Sequence, residues 1–469
     1  MIRGRTRKGR ARADRLMAAA AVSTPLFRSK DHGEPVIVRG RDIEARGERW
    51  IEPFLQANMD AIRRIGARPE PVTYPDLRLL LHPGSMIGAV PLVSPSTRKV
   101  VAGLLVEPRF SWSALGGVLG ETGFAVEPSV GGGALVPGSA REVPPWVIAG
   151  PVLNRIAALL RHLERRFVPC HEVRAAPRGT IAWSTWASNH VPTGQWASFP
   201  CAFSDPLDDP GLKASVRWTL GRLRETLAML AESIPARLLL DRVQELMVEA
   251  GPGAARRPAT TDVAPSVGSE WLSRGLEAIH WVAEERGLGG ARALDGLTWD
   301  LSVEAVWEAW VAAFARRLGT RMGLVTSPFG GVRRAISWSG HIRSMSSLAP
   351  DVALTDPTGG RMVWIDAKYK AHLSLLARHG WDAVGEDVRA AHRSDFHQAL
   401  AYAALGDSER VDSILAYPQL DPAARPAIAV ASLATGGRRL RLLLASLPFG
   451  FVSPDQLERT IASWLEALA

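Results

Sequence analysis

The sequence predicts a multidomain protein of mixed α+β and α/β class: a β-rich domain over 34–150, a mainly helical middle over 151–289 and an α/β domain over 290–469. Three observations predict it. Residues 34–150 are rich in Val, Gly and Pro and hold short apolar runs. The middle places Leu and Ile at helical spacing. From about Leu301 onward one compact pattern runs helix, strand pair, helix, strand, strand, helix. A chain of 469 residues, 46% hydrophobic and 22% charged, has the composition of a globular protein. It is long enough for several domains of roughly 150 residues each.

Residues 1–33 read as a basic, flexible tail. Residues 1–16 carry seven basic side chains (Arg3, Arg5, Arg7, Lys8, Arg10, Arg12 and Arg15) against the single acid Asp14. Such a tail either grips phosphates or is simply solvated. Next, Val36–Val38, Ile87–Leu92 and Val100–Val106 are strand-like and bounded by turn residues, while Gly131–Gly133 and Pro137-Gly138 mark loops. Leu153, Ile156, Leu159, Leu160 and Leu163 predict a helix over 152–167. A polar and aromatic stretch follows over 178–203, then helices over 212–232 and 236–249. Residues 250–269, rich in Ala, Gly, Pro and Thr, read as a flexible segment before a helix over 271–285.

Several function classes are excluded. No uncharged apolar run reaches the ~18 residues of a membrane span. The Ala-rich stretch from Met17 to Val22 is too short for a secretory signal. A cytoplasmic location with no membrane partner is expected. Cys170 and Cys201 alone build neither a disulfide framework nor a four-ligand zinc site. The chain has no G-x-x-x-x-G-K-[ST] loop, no G-x-G-x-x-G and no G-x-S-x-G elbow, so any nucleotide-driven step has to come from another protein. A net charge of +9 and a pI of about 10.1 favour polyanion partners.

The chemistry concentrates in Leu348-Ala349-Pro350-Asp351-Val352-Ala353-Leu354, a turn through Asp356-Pro357-Thr358-Gly359-Gly360, and Arg361 to Lys370. With a loop over 356–361 and Thr355 paired to Met362, Asp351 falls opposite Asp366. Two carboxylates that close repel unless a cation or a proton lies between them. Lys368 shares the face of Asp366, whereas Val363, Ile365 and Ala367 face a core. Two carboxylates with a lysine beside them make a hard-oxygen site for Mg²⁺, or Mn²⁺, able to activate water against a phosphodiester. An ordinary hairpin with surface charges is the other reading of that spacing. Lysine usage favours the first. Only six lysines occur among the 56 Lys and Arg, and two of them lie in Asp366-Ala367-Lys368-Tyr369-Lys370. A chain that prefers Arg keeps Lys where a compact ammonium matters.

Upstream, Val303, Trp307, Trp310, Phe314 and Leu318 form a helical core stripe, with Glu304 and Glu308 just beside it and able to project toward a metal. Downstream, Asp395, Gln398 and Tyr402 share one face of a helix over 386–405. His392 and His397 lack partners at metal-ligand spacing and read as bystanders.

These residues resemble McrC, the nuclease subunit of modification-dependent McrBC-type restriction systems, within the PD-(D/E)XK nuclease superfamily. The resemblance rests on Val306-Trp307-Glu308-Ala309-Trp310-Val311, Leu348-Ala349-Pro350-Asp351, Asp366-Ala367-Lys368-Tyr369-Lys370 and Ser394-Asp395-Phe396-His397-Gln398-Ala399-Leu400-Ala401-Tyr402, in that order. It extends more weakly to Ile87-Gly88-Ala89-Val90-Pro91-Leu92, Val106-Glu107-Pro108-Arg109-Phe110 and Arg178-Gly179-Thr180-Ile181. It implies a C-terminal PD-(D/E)XK restriction-endonuclease-like domain. Glu308, Asp351, Asp366 and Lys368 would be its catalytic residues, Asp351 and Asp366 its metal ligands, and Gln398 and Tyr402 would support them or contact DNA. It also implies DNA as substrate and an McrB-like AAA+ GTPase or ATPase ring as partner. That ring would dock on the β-rich domain around Ile87 to Phe110, with Arg109 either touching the ring or held in an ion pair. A non-catalytic adaptor that keeps the nuclease fold, and a repair nuclease without a motor, are the alternatives.

Overall fold

Short β-branched runs broken by glycine and proline turn the first third of the chain into sheet. The computed structural model describes residues 24–43, 49–163, 166–207, 210–258, 270–285, 295–327, 333–336, 339, 346–404, 408–419, 421, 424–435, 438–451 and 453–469. The basic cluster of residues 1–16 and residues 259–269 of the expected flexible segment lie outside them. The chain divides into two compact units, one from 1–144, 233–235 and 293–469, the other from 145–232 and 236–292.

The first unit opens with β1 (Leu26–Lys30), β2 (Val36–Arg39), α1 (Ile51–Arg64), β3 (Arg68–Val72), β4 (Arg78–His82), β5 (Met86–Val93), β6 (Val100–Glu107), α2 (Trp112–Glu121) and β7 (Ser129–Val136). β2, β4 and β3 form a small antiparallel sheet. β2, β5 and β6 lie where the apolar runs place them. The tail expected to reach residue 33 does not: β1 pairs in parallel with β6, Leu26 against Gly103. Five residues with two basic side chains give no alternation strong enough to announce that strand. Ile87, Val90, Leu92, Leu104 and Leu105 are core residues, while Ser96 to Lys99 in the turn between β5 and β6 are exposed.

In the second unit the expected helix over 152–167 is displaced. α3 runs Pro145–Arg161, and Phe167 lies in β8 (Arg166–Arg174). α3 passes through Pro151, which removes one backbone donor; Trp146 to Leu153 is buried throughout, and that burial offsets the lost bond. The helical middle also contains a three-stranded antiparallel sheet, ordered β8, β10 (Phe199–Leu207), β9 (Thr180–Ile181). Gly179, at φ +70°, makes the turn into β9, where a Cβ would collide with the backbone of Ala202. α4 (Pro210–Ala228), α5 (Ile234–Ala250) and α6 (Glu270–Ala283) follow. Residues 250–258 are tied down, not loose: Arg217 donates to the carbonyls of Ala250 (3.1 Å) and Ala254 (2.9 Å), and the Arg256 N–H donates to that of Ala214 (3.1 Å).

The chain then returns to the first unit with β11 (Gly296–Ser302), which lies between β5 and β7 and completes a sheet ordered β1-β6-β5-β11-β7. Residues 296–302, expected in the C-terminal domain, therefore belong to the N-terminal sheet. Gly88 permits this closure, since a Cβ there would strike the Trp299 backbone. α7 (Val303–Met322) is capped by Ser302, whose Oγ accepts the Ala305 N–H, and ends at left-handed Gly323. After it come β12 (Val325–Thr326), β13 (Arg334–Ala335), β14 (Ser347–Leu348), β15 (Val352–Thr355), β16 (Arg361–Ala367), α8 (His372–His379), α9 (Glu386–Ala404), β17 (Arg410–Gln419), β18 (Ile428–Thr435), β19 (Arg438–Pro448) and α10 (Pro454–Leu468).

The six-stranded sheet is ordered β12-β15-β16-β17-β19-β18, with β16, β17 and β19 parallel and antiparallel strands outside them. Helices cover both faces, so β16 and β17 are apolar on both. On one face the α7 stripe is buried as expected, and Trp307 and Trp310 donate their indole N–H to the carbonyls of Ala416 (3.3 Å) and Pro448 (2.8 Å). On the other, Tyr402 and Ala403 of α9 pack on Trp364, Ala353 and Val411. At the β16 N-terminus, fully buried Asp412 is matched by Arg361 (2.7 Å) and Arg441 (2.6 Å), which also hold the Leu468 carbonyl. That end is closed by ion pairs; the carboxyl ends of β16 and β17 carry the polar site. Among the described residues no helix is long and apolar enough to cross a membrane.

Candidate active site

The hairpin has the register that alternation predicts. Thr355 pairs with Met362 and Val352 with Ile365, which sets Asp351, one step ahead of β15, opposite Asp366. The loop is held by the Asp356 carboxylate, which accepts the Thr358 N–H (2.9 Å), and by Gly359 at φ +81°. Asp351 Oδ2 accepts the Ala367 N–H at 2.7 Å. Asp366 shares the face of Trp364, toward α9. Lys368 follows on that face, its Nζ 2.6 Å from Asp366 Oδ2. The same Nζ donates to Gln398 Oε1 (2.9 Å), Gln398 Nε2 donates to the Tyr402 hydroxyl (2.6 Å), and that hydroxyl donates to the Ala349 carbonyl (3.4 Å). Asp351, Asp366, Lys368, Gln398 and Tyr402 thus converge.

Their electrostatics follow from crowding negative charge into a dry place. Burial, then the charge of Asp366, pushes Asp351 up to about 7, against the pull of the Ala367 N–H. Burial also raises Asp366, opposed by Lys368. For Lys368, burial alone would favour the neutral amine, but Asp366, Asp395 and Asp351 outweigh it and hold the ammonium. Glu308, half-buried on α7, is raised by burial and by the charges of Glu304 and Asp366. It therefore lies within electrostatic reach of the pair. Glu304 is exposed, 3.5 Å from Ser85 Oγ. For a cation-dependent phosphodiester cleavage at this pair, Glu308→Ala should slow cutting by about tenfold, since water can replace one oxygen ligand at a hard cation; plasmid-nicking rates check this, and an unchanged rate moves the role to Glu304.

Asp395 shares the α9 face with Gln398 and Tyr402 but stands one step away from the pair. It accepts from Lys370 Nζ (2.7 Å) and the Tyr417 hydroxyl (3.4 Å). His392 is buried with its Nδ1 3.3 Å from that hydroxyl, and His397 is exposed, so both are bystanders to the carboxylates. Lys370 and Tyr417 gave no signal beyond the Lys-Tyr-Lys spacing. Arg109 is not a surface group: its guanidinium lies 4.3 Å from the centroid of the Tyr369 ring and its Nε 3.4 Å from Asp31.

The donor set tests what the site can hold. Asp366 Oδ2 is buried and, beyond its contact with Lys368, makes no hydrogen bond. The acidic donors are carboxylate oxygens, which suit a hard divalent cation. Among the described residues no three His, Cys, Asp or Glu side chains form a ligand cluster. That is compatible with Mg²⁺, which keeps several waters and needs only one or two carboxylates.

No protein-family profile matches the chain, and no curated protein does. Solved structures similar to it include a half-complex from a tetradecameric assembly of Thermococcus gammatolerans McrB AAA+ hexamers with bound McrC. That likeness covers 94% of this chain and 100% of that one, at 13% identity and a TM-score of 0.44. A second is the cryo-EM structure of the Thermococcus gammatolerans McrBC complex, covering 62% and 88% at 12% identity and a TM-score of 0.25. Both are McrBC assemblies. At these distances the likeness assigns no chemistry to any residue, and the site's own geometry carries the functional reading.

Proposed function

We propose that the protein is a metal-dependent DNA endonuclease, the cleavage subunit of an McrBC-like restriction complex driven by a partner AAA+ NTPase ring. The observation that carries this reading is half-buried Asp351 and buried Asp366, set face to face by the β15–β16 register, with Lys368 2.6 Å from Asp366. Asp351 and Asp366 would hold Mg²⁺ or Mn²⁺, with Glu308 contributing from α7. The bound ion supplies a Lewis acid for the phosphodiester and lowers the pKa of a bound water. Lys368 keeps its ammonium beside the reacting centre to orient water or neutralise developing charge. Gln398 fixes that ammonium, and Tyr402, by accepting from Nε2, keeps Oε1 turned toward Lys368. The basic surplus of the chain suits a DNA substrate.

The test is to purify the chain with an AAA+ protein encoded beside it and to measure cleavage of modified and unmodified plasmid with Mg²⁺, with and without GTP or ATP. Co-purification and nucleotide-dependent cutting are expected. Efficient, site-selective cutting by this chain alone, with no gain from a motor, rejects the partner. DNA binding without cleavage in any metal, ring or nucleotide leaves the adaptor reading in its place.

A further inference from the structure

The reading above leaves Val106-Glu107-Pro108-Arg109-Phe110 without a role. Yet the end of β6 meets the residue that follows Lys368. Tyr369 is 3% exposed, and its hydroxyl donates to Asp31 Oδ2 at 2.6 Å, a contact between residues 338 positions apart. Asp31 is itself buried at the end of β1, and its Oδ1 accepts the Arg109 N–H at 2.6 Å. The Arg109 guanidinium covers the Tyr369 ring. His32, Phe110 and Phe449 surround that ring at centroid distances of 5.8, 6.2 and 6.3 Å. Phe110 and Phe449 stack on each other at 4.7 Å.

We propose that Asp31 and Arg109 are positioning residues for Lys368, acting through Tyr369. The proposal rests on the reading of Lys368 as part of the cleavage site. β16 ends at Ala367, and the Lys368 N–H makes one further bond, to the Ala416 carbonyl (2.8 Å), before the chain turns. A lysine just past a strand end, on a flexible four-carbon stem, is poorly placed by its own backbone. Its neighbours place it. Tyr369 is pinned to the ends of β1 and β6, and Lys370 is pinned to Asp395 of α9. Asp31 is oriented by the Arg109 N–H and by the nearby guanidinium, so the tyrosine hydroxyl has one acceptor and one direction. Three segments remote in sequence thereby fix the backbone from which Lys368 reaches Asp366 and Gln398.

The experiment uses the full chain, with its motor partner where cleavage requires it. Tyr369→Phe, which deletes one oxygen, and Asp31→Asn, which keeps the shape, should each lower kcat by about 10- to 100-fold, the cost of a small misplacement. KM for plasmid and Mn²⁺ affinity should stay at wild-type values. Arg109→Lys should recover part of the kcat that Arg109→Ala loses. Wild-type kcat in folded Tyr369→Phe and Asp31→Asn overturns the proposal. So does a fall in kcat matched by weaker DNA and Mn²⁺ binding and a lower melting temperature, which marks a purely structural role. Lys368→Ala separates the two claims. If it cuts normally, the cleavage-site reading fails; if it is dead while Tyr369→Phe is fully active, only the positioning claim fails.

Discussion

Asp366→Ala and Lys368→Ala are each expected to reduce DNA cleavage by about 10²- to 10³-fold or more, the effect of removing one preorganised charge-stabilising group. The two should differ in stability. Asp366→Ala deletes a buried carboxylate whose charged form burial already disfavours, so the fold should hold. Lys368→Ala leaves that carboxylate buried without its cation, and loss of one partner of a buried pair costs about 3 kcal/mol. Lys368→Ala should therefore melt below Asp366→Ala at neutral pH, and the double variant should regain most of the difference. Lys368→Arg should also fail to cut. Asp366 Oδ2 and Gln398 Oε1 converge on one nitrogen at 2.6 and 2.9 Å, a point that a planar fork of separate nitrogens does not occupy. Plasmid cleavage with a thermal melt on each variant decides the matter. Full cutting by Asp366→Ala protein would sink the site.

The parts of this site that sequence made legible are those encoded locally. A period of two and an Asp-Pro, Gly-Gly turn placed Asp351 against Asp366, and a helical period placed the Trp307 and Trp310 stripe and the Gln398 and Tyr402 face. What stayed hidden lies in pairings with no local pattern. β11 completes a sheet with β5 and β7 from more remote parts of the chain. β1 is a five-residue strand recognisable only by its partner β6. Tyr369 reads in sequence as a residue between two lysines, and only the fold brings Asp31 to its hydroxyl. Arg109 is held in an ion pair, one of the two readings its sequence offered, but its partners Asp31 and Tyr369 stayed hidden because they come from remote parts of the chain.

Divalent-metal binding at the carboxylate pair should be strongly coupled to pH. In the metal-free protein Asp351 is pushed up to about 7, first by burial and then by Asp366, from an ordinary value of 3.8. The folded form therefore holds a proton there that the unfolded chain has already released. Between about pH 4 and pH 7 the native state binds more protons, so this group's contribution to stability is greatest at the acid end and is lost as pH rises through 7. A cation must displace that proton. Mn²⁺ affinity should fall about tenfold per pH unit below pH 7 and level off above it, with one proton released on binding at about pH 6. Calorimetric titration in two buffers of different ionisation enthalpy counts that proton. Asp351→Asn keeps an oxygen to accept the Ala367 N–H but carries no charge beside Asp366. It should melt higher than the metal-free wild type at about pH 8, lose that difference near pH 5, and bind Mn²⁺ weakly at both. A Mn²⁺ affinity independent of pH from about 5.5 to 8.5, or an Asp351→Asn protein no more stable than wild type at alkaline pH, would show that the two carboxylates do not share a proton, and the pair would lose its standing as a cation site.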